Sequence, residues 1–252
     1  MNLRFVLFFF APFISNYLGA EVDLPTSEEL SKLEKKYSEI DRTCTKRILK
    51  NSVDISSFSS RGDARLFLGD FKGARLDYEK MIELNPNLEL SHWRLGITYF
   101  YLSEFKMASR QFEIYHQFDE VDRENGIWRF MSQFQLSGLN KARKDLLRYS
   151  QDDRPPYPWL YSMFAGEISP EDVFDRIKQQ HFPPQYEIRV LFHANLYVGI
   201  YLELTEDDPQ RAMNYLAHAT ANQYGRSTGT YMWHVARLHH ARLLRSVQKL
   251  QN

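Results

Sequence analysis

Three histidines, His234, His239 and His240, crowd the C-terminal end of the chain, and imidazole is the side chain best suited to proton transfer or metal binding near neutral pH. A metal pair on a helix needs its imidazoles at i and i+4 on one face. His234 stands five and six positions from the other two, which turns it about a third of a turn or more off their face. His239 and His240 are adjacent and point different ways, so the spacing favours structural histidines. Glu203, Glu206, Asp207 and Asp208 form an acidic cluster in an expected turn, a solvated loop with weak affinity for cations. Ser227-Thr228-Gly229-Thr230 is a small polar loop without the flanking strand of a phosphate-binding loop. Cys44 is the one cysteine, so it makes no internal disulfide and no zinc site alone. Arg42, Lys46 and Arg47 would lower its thiol pKa modestly; an inert, half-buried helix position is favoured over a catalytic thiol. G-x-S-x-G, H-E-x-x-H and paired-cysteine patterns are all missing. No nucleophile, base and orienter assemble from these residues. The chain therefore reads as a non-enzyme with no cofactor and no metal. The competing reading is a hydrolase or metal-dependent enzyme built on the C-terminal half, which would depend on His239 or His240.

The elements that position these residues are helices. Hydrophobic residues make up 43% of the chain and charged residues 25%, the balance of a folded globular protein. Basic and acidic residues number 32 each, which leaves no cationic stripe for phosphates. Lys141, Arg143, Lys144 and Arg148 stand at helical spacing and read as a solvated face, so nucleic acid is excluded as a partner. At the start, Arg4 precedes the apolar run Phe5 to Ile14, and Gly19-Ala20 closes it with small residues. That order describes a secretory signal peptide cleaved after Ala20, and hence an exported protein of the periplasm or secretory route. The apolar run is shorter than the roughly 20 residues that span a bilayer. An uncleaved signal segment would be the only attachment to a membrane.

Past residue 54 the chain aligns with itself at an offset of 34 residues. Gly62 falls on Gly96, Phe71 on Phe105, Ala74 on Ala108, and Tyr78 on Phe112; a second shift brings Ala108 onto Ala142 and Phe112 onto Leu146. The small residues let paired helices approach, and the large ones fill the space between pairs. Asn85-Pro86-Asn87 ends one unit, since Pro cannot continue a helix and Asn caps the next. The third unit is degenerate, with Phe130 where the others have Gly. Tyr197 to Leu202 followed by Ala212, Tyr215 and Leu216 reads as one more unit, with a one-residue insertion at Asp207-Asp208-Pro209. Thr26-Ser27-Glu28-Glu29 and Ser169-Pro170-Glu171-Asp172 are helix starts. Arg154-Pro155-Pro156-Tyr157-Pro158 and Pro183-Pro184 are breaks, and Tyr231 to Leu250 is a terminal amphipathic helix. The expected organisation is a signal peptide (1–20), a leading helical segment (21–54), a three-unit array (55–150) and a C-terminal helical extension (151–252).

A 34-residue period, with Leu84-Asn85-Pro86, His92-Trp93-Arg94-Leu95-Gly96 and Phe105-Lys106-Met107-Ala108, resembles the tetratricopeptide repeat (TPR). The resemblance implies an all-α fold, a right-handed superhelical array of antiparallel helix pairs. It also implies a concave groove lined by first helices, here Leu66 and Phe67, then Trp93, Arg94, Ile97, Phe100 and Tyr101, then Met131 and Phe134. Such a groove takes an amphipathic helix or apolar peptide, and the carboxylate clamp of some TPR proteins is missing apart from Arg94. Three occupants stand open: a protein or peptide partner, the chain's own terminal helix, or a second copy in a homodimer. The bridge from Leu146 to Tyr161 with Gln180-His181-Phe182 is similar to the NlpI-type bacterial envelope proteins, which are lipid-anchored, dimeric adaptors. Their anchor cysteine has no counterpart here.

Overall fold

The computed structural model describes residues 22–206 and 208–251. The signal-peptide expectation for residues 1–20 lies outside the described residues, as does Asp207. Among the described residues there is no strand, and no helix is long and apolar enough to cross a membrane.

Helix α1 (Ser27–Lys50) starts where the sequence says it should: Thr26 and Glu29 exchange the two hydrogen bonds of a capping box. α2 (Ile55–Phe67) and α3 (Phe71–Leu84) are capped by Asp54 and Asp70. Between them Gly69 adopts φ +84°, a value that side-chain-bearing residues rarely hold. The chain then doubles back. Arg61 and Arg65 on α2 both donate to the buried Asp77 carboxylate of α3, at 2.6 and 3.0 Å. Gly62 lies so close to α3 that a Cβ there would stand 2.5 Å from the Tyr78 ring.

A 3₁₀ turn (Pro86–Ser91) leads to α4 (Trp93–Tyr101) and α5 (Phe105–His116). The same contact recurs one repeat later, where a Cβ on Gly96 would stand 2.7 Å from the Phe112 ring. These two hairpins thus share one register, set by glycine on the first helix and an aromatic ring on the second.

The third unit departs from it. α6 (Arg123–Ser137) is full length, but α7 (Leu139–Lys144) has six residues. Phe130 replaces the glycine, and its ring packs 5.1 Å from Phe164 on α8 (Tyr157–Ala165). The close approach moves one turn back to Gly126, where the Tyr149 hydroxyl and the Tyr161 ring occupy the space beside its Cα. After α9 (Pro170–Gln179), α10 (Pro184–Thr205) pairs with α11 (Pro209–Ala221). Gly199 there meets Leu216, the counterpart of Tyr78 and Phe112, one residue later than in the first two hairpins. α12 (Gln223–Thr228) is short, and α13 (Tyr231–Gln251) ends the chain. One apolar core runs from Phe58 through Trp128 and Tyr197 to Leu243.

Candidate functional site

The groove residues named from the TPR resemblance do not form an open surface. Leu66, Ile97, Phe100 and Met131 are core residues, each at most 4% exposed. Arg94 is turned away to a two-oxygen hydrogen bond with Asp63 at 2.8 Å, so it holds no peptide carboxylate. Phe67, Trp93, Tyr101 and Phe134 are half-buried against the core. The first three meet α13, the chain's own terminal helix, and of the three occupants left open this is the one in place. Phe67 stacks on His234 with centroids 4.0 Å apart, and Trp93 stands edge-on to Tyr231 at 4.8 Å. Tyr231, His234 and Leu238 recur at i, i+3 and i+7, one stripe of a helix. The opposite flank of α13 packs on α11, where Trp233 Nε1 donates to the Thr220 carbonyl at 2.9 Å.

Polar pairs fasten this helix in place. His234 Nδ1 accepts from Arg237 Nε at 2.9 Å, so Nε2 carries the proton and donates to the Tyr37 hydroxyl oxygen at 2.7 Å. Burial, reinforced by the Arg237 charge, pushes the His234 imidazole down to about 2. His239 bridges two other helices. Tyr101 Oη donates to its Nδ1 at 2.8 Å, and its Nε2–H donates to Glu203, which Arg242 also holds at 2.9 Å. The order hydroxyl, imidazole, carboxylate has the form of a catalytic relay, but its hydroxyl belongs to a tyrosine whose pKa burial pushes up. Every member ties α4, α10 and α13 together. His240 is also pushed down by burial. Among the described residues no three His, Cys, Asp or Glu side chains are grouped to hold a metal ion. Cys44 is buried, not half-buried, and burial outweighs Arg47 and raises its thiol pKa; the local charges suggested the reverse.

α13 does not fill the groove. Beside its first turn a cavity of about 280 Å³ remains, lined by Trp93 and Ile97 from α4, Trp128 from α6 and Tyr231. Its polar wall is the start of α6, formed by Asp122, Glu124 and Asn125. Asp122 caps α6 by accepting from Glu124 N at 3.1 Å. Burial, with the adjoining Glu124 carboxylate, pushes Asp122 up to about 7. Burial also raises Glu124, against the pull of the Tyr197 hydroxyl that donates to it. The sequence reading missed Asp122, Glu124 and Asn125, because acids in a first helical turn are ordinary capping residues.

No family model matches the chain. A solved structure described as "MamA RS-1 ArsTM double mutant" is similar over 77% of this chain and 96% of that one, with 14% identity and a TM-score of 0.40. The helix pairs described above therefore rest on their own contacts.

Proposed function

We propose that this chain is an exported, non-catalytic scaffold of the TPR class, a right-handed superhelical array of helix pairs that binds a protein or peptide partner. The observation that carries the reading is α13 itself. The inner faces of α2 and α4 hold an amphipathic helix by aromatic anchors, and a surface that holds one helix in cis has the chemistry to hold another in trans. The partner is then an amphipathic helix carrying two aromatic residues and an aliphatic one at the spacing of Tyr231, His234 and Leu238. Its seat is the groove of Phe67, Trp93 and Tyr101. The lone exported-type leader and the NlpI-like bridge favour an envelope adaptor. The histidines are spent on helix packing, which favours scaffold over enzyme.

The test is affinity capture from an envelope or secreted extract with residues 21–252. Phe100 is a core side chain, and its loss alone would cost about 3–5 kcal/mol, so the informative substitutions lie at the contact of groove and helix. Tyr231→Ala loosens α13 and should raise capture of a specific partner. Trp93→Ala removes the anchor that either helix would use and should lower it. Equal capture by wild type and both variants overturns the reading.

A further inference from the structure

We propose that the cavity beside the first turn of α13 is a binding site for an organic cation, an alkylammonium group received by Trp93, Trp128 and Tyr231 with Asp122 and Glu124 as its counter-charges. The inference stands apart from the scaffold reading, since it concerns the part of the groove that α13 leaves empty. A volume of about 280 Å³ lies near the lower end of small-ligand pockets, the size for a short alkyl chain with a charged head. Its apolar wall is aromatic, and indole and phenol faces attract ammonium groups.

No lysine or arginine lines the cavity itself. Facing Asp122 are Glu124 at the start of α6, Asp119 from the turn after α5, Asp153 and Arg154 from the segment before α8, the neutral His193 of α10, and the hydroxyls of Tyr115, Tyr149 and Tyr157, which stay protonated across the range tested. Arg154 is the one guanidinium among them, and it is divided between Asp153 at 3.0 Å and Glu124 at 3.6 Å. The Arg123 guanidinium lies over the Tyr149 ring instead. Four carboxylates thus confront one cation, in surroundings that favour neutralising them.

A second observation points the same way. Asn125, which lines the cavity, is 2% exposed; its Nδ2 donates to the Phe112 carbonyl at 2.9 Å, while its Oδ1 has no donor. A buried acceptor without a donor is unfavourable, and an ammonium N–H is the kind of group that satisfies it. An anionic ligand would be repelled by Asp122 and Glu124, and among the described residues no ligand set for a bare metal ion is grouped there.

The same chemistry occurs in free amines and in lysine side chains, so calorimetry of the full chain should use n-butylammonium and N-acetyl-lysine amide as probes, with 1-butanol as the neutral control. Saturable binding of an amine but not of 1-butanol is expected, with quenching or enhancement of tryptophan fluorescence. Affinity should rise about tenfold from pH 6 to pH 8 as Asp122 loses its proton. Tighter binding of the lysine amide identifies a partner's lysine as the source, and its exclusion while butylammonium binds identifies a free amine. Asp122→Asn keeps a good helix cap and should weaken binding at pH 8 about tenfold while removing the rise in affinity between pH 6 and pH 8 that Asp122 supplies. If that variant melts early by circular dichroism, Glu124→Gln serves, since its amide oxygen still accepts from Tyr197. Equal binding of 1-butanol, no saturable binding of either amine, or unchanged affinity in a folded Asp122→Asn variant each overturns the proposal.

Discussion

Three buried histidines of this protein, His193, His234 and His239, act as neutral hydrogen-bond connectors. Tyr37–His234, Tyr101–His239 and Tyr157–His193 each join residues distant in sequence. Burial, with the charges of Arg154 and Arg189, holds His193 down at about 3, and His234 lies at about 2. In the unfolded chain these imidazoles take up protons as the pH falls below 6.5, whereas in the folded chain they stay neutral. The unfolded state then binds more protons, so stability is complete above pH 6.5 and declines as the medium is acidified. Asp122 works in the opposite sense, because its folded carboxyl keeps a proton up to about pH 7 that the unfolded chain releases near 3.8. The two effects separate in a paired measurement. Urea unfolding of wild type and His234→Gln at pH 7 and about pH 4.5 should show the wild-type advantage shrinking by about 2–3 kcal/mol. An advantage that is the same at both pH values would mean that His234 takes up its proton in the folded chain.

At the scale of helices, the determinant is how closely two of them approach. Gly62 and Gly96 place their helices against Tyr78 and Phe112 with no room for a methyl group. Gly96→Ala gains about 1 kcal/mol of helix propensity but must displace the Phe112 ring, and overpacking of that kind costs about 1–3 kcal/mol. A net loss is expected in thermal melts, and the added substitution Phe112→Leu should recover part of it. If Gly96→Ala melts at or above wild type, the glycine–aromatic register is not what sets the hairpin. This register was legible in the sequence because both partners lie within one repeat, and a contact that recurs every 34 residues leaves a periodic trace. The capping box at Thr26 and the helix start at Ser169 were legible for the same reason of locality. The shift to Gly126 was not, because it depends on Tyr149 and Tyr161 from beyond the truncated α7. The residues named for the groove lie on α2, α4 and α6, but a helical pattern says which face is apolar and not what covers it. Phe67, Trp93 and Tyr101 meet their partners 138 to 170 residues further along the chain. The acid-walled cavity left no trace either, since it is the gap between segments brought together only in the folded chain.

For the molecule as a whole, α13 is the element that joins helices from both ends of the described chain. It reaches α1 through Tyr37, α2 through the Phe67 carbonyl, α4 through Tyr101, α10 through Glu203 and α11 through Thr220. Just before it, Arg226 of α12 pairs with Asp23 and Glu29 at the other end of the described chain. Truncation after Gly229 should therefore lower the melting temperature by more than about 10 °C, since each lost kcal/mol is worth about 2–4 °C in a chain of this size. It should also create binding of an apolar dye such as ANS. A truncated chain that melts within a few degrees of wild type without binding dye would show that α13 is peripheral. The convergence on α13 bears on descent as well as on stability. A linear repeat protein contacts only its neighbours from unit to unit, so it can gain or lose a unit by duplication or deletion and still fold. Here the last helix must land on the first, and an extra 34 residues between α3 and α4 would carry Tyr101 and Tyr37 out of register with His239 and His234. Lineages carrying this closure should vary in loop length and in surface residues while the number of helix pairs stays constant.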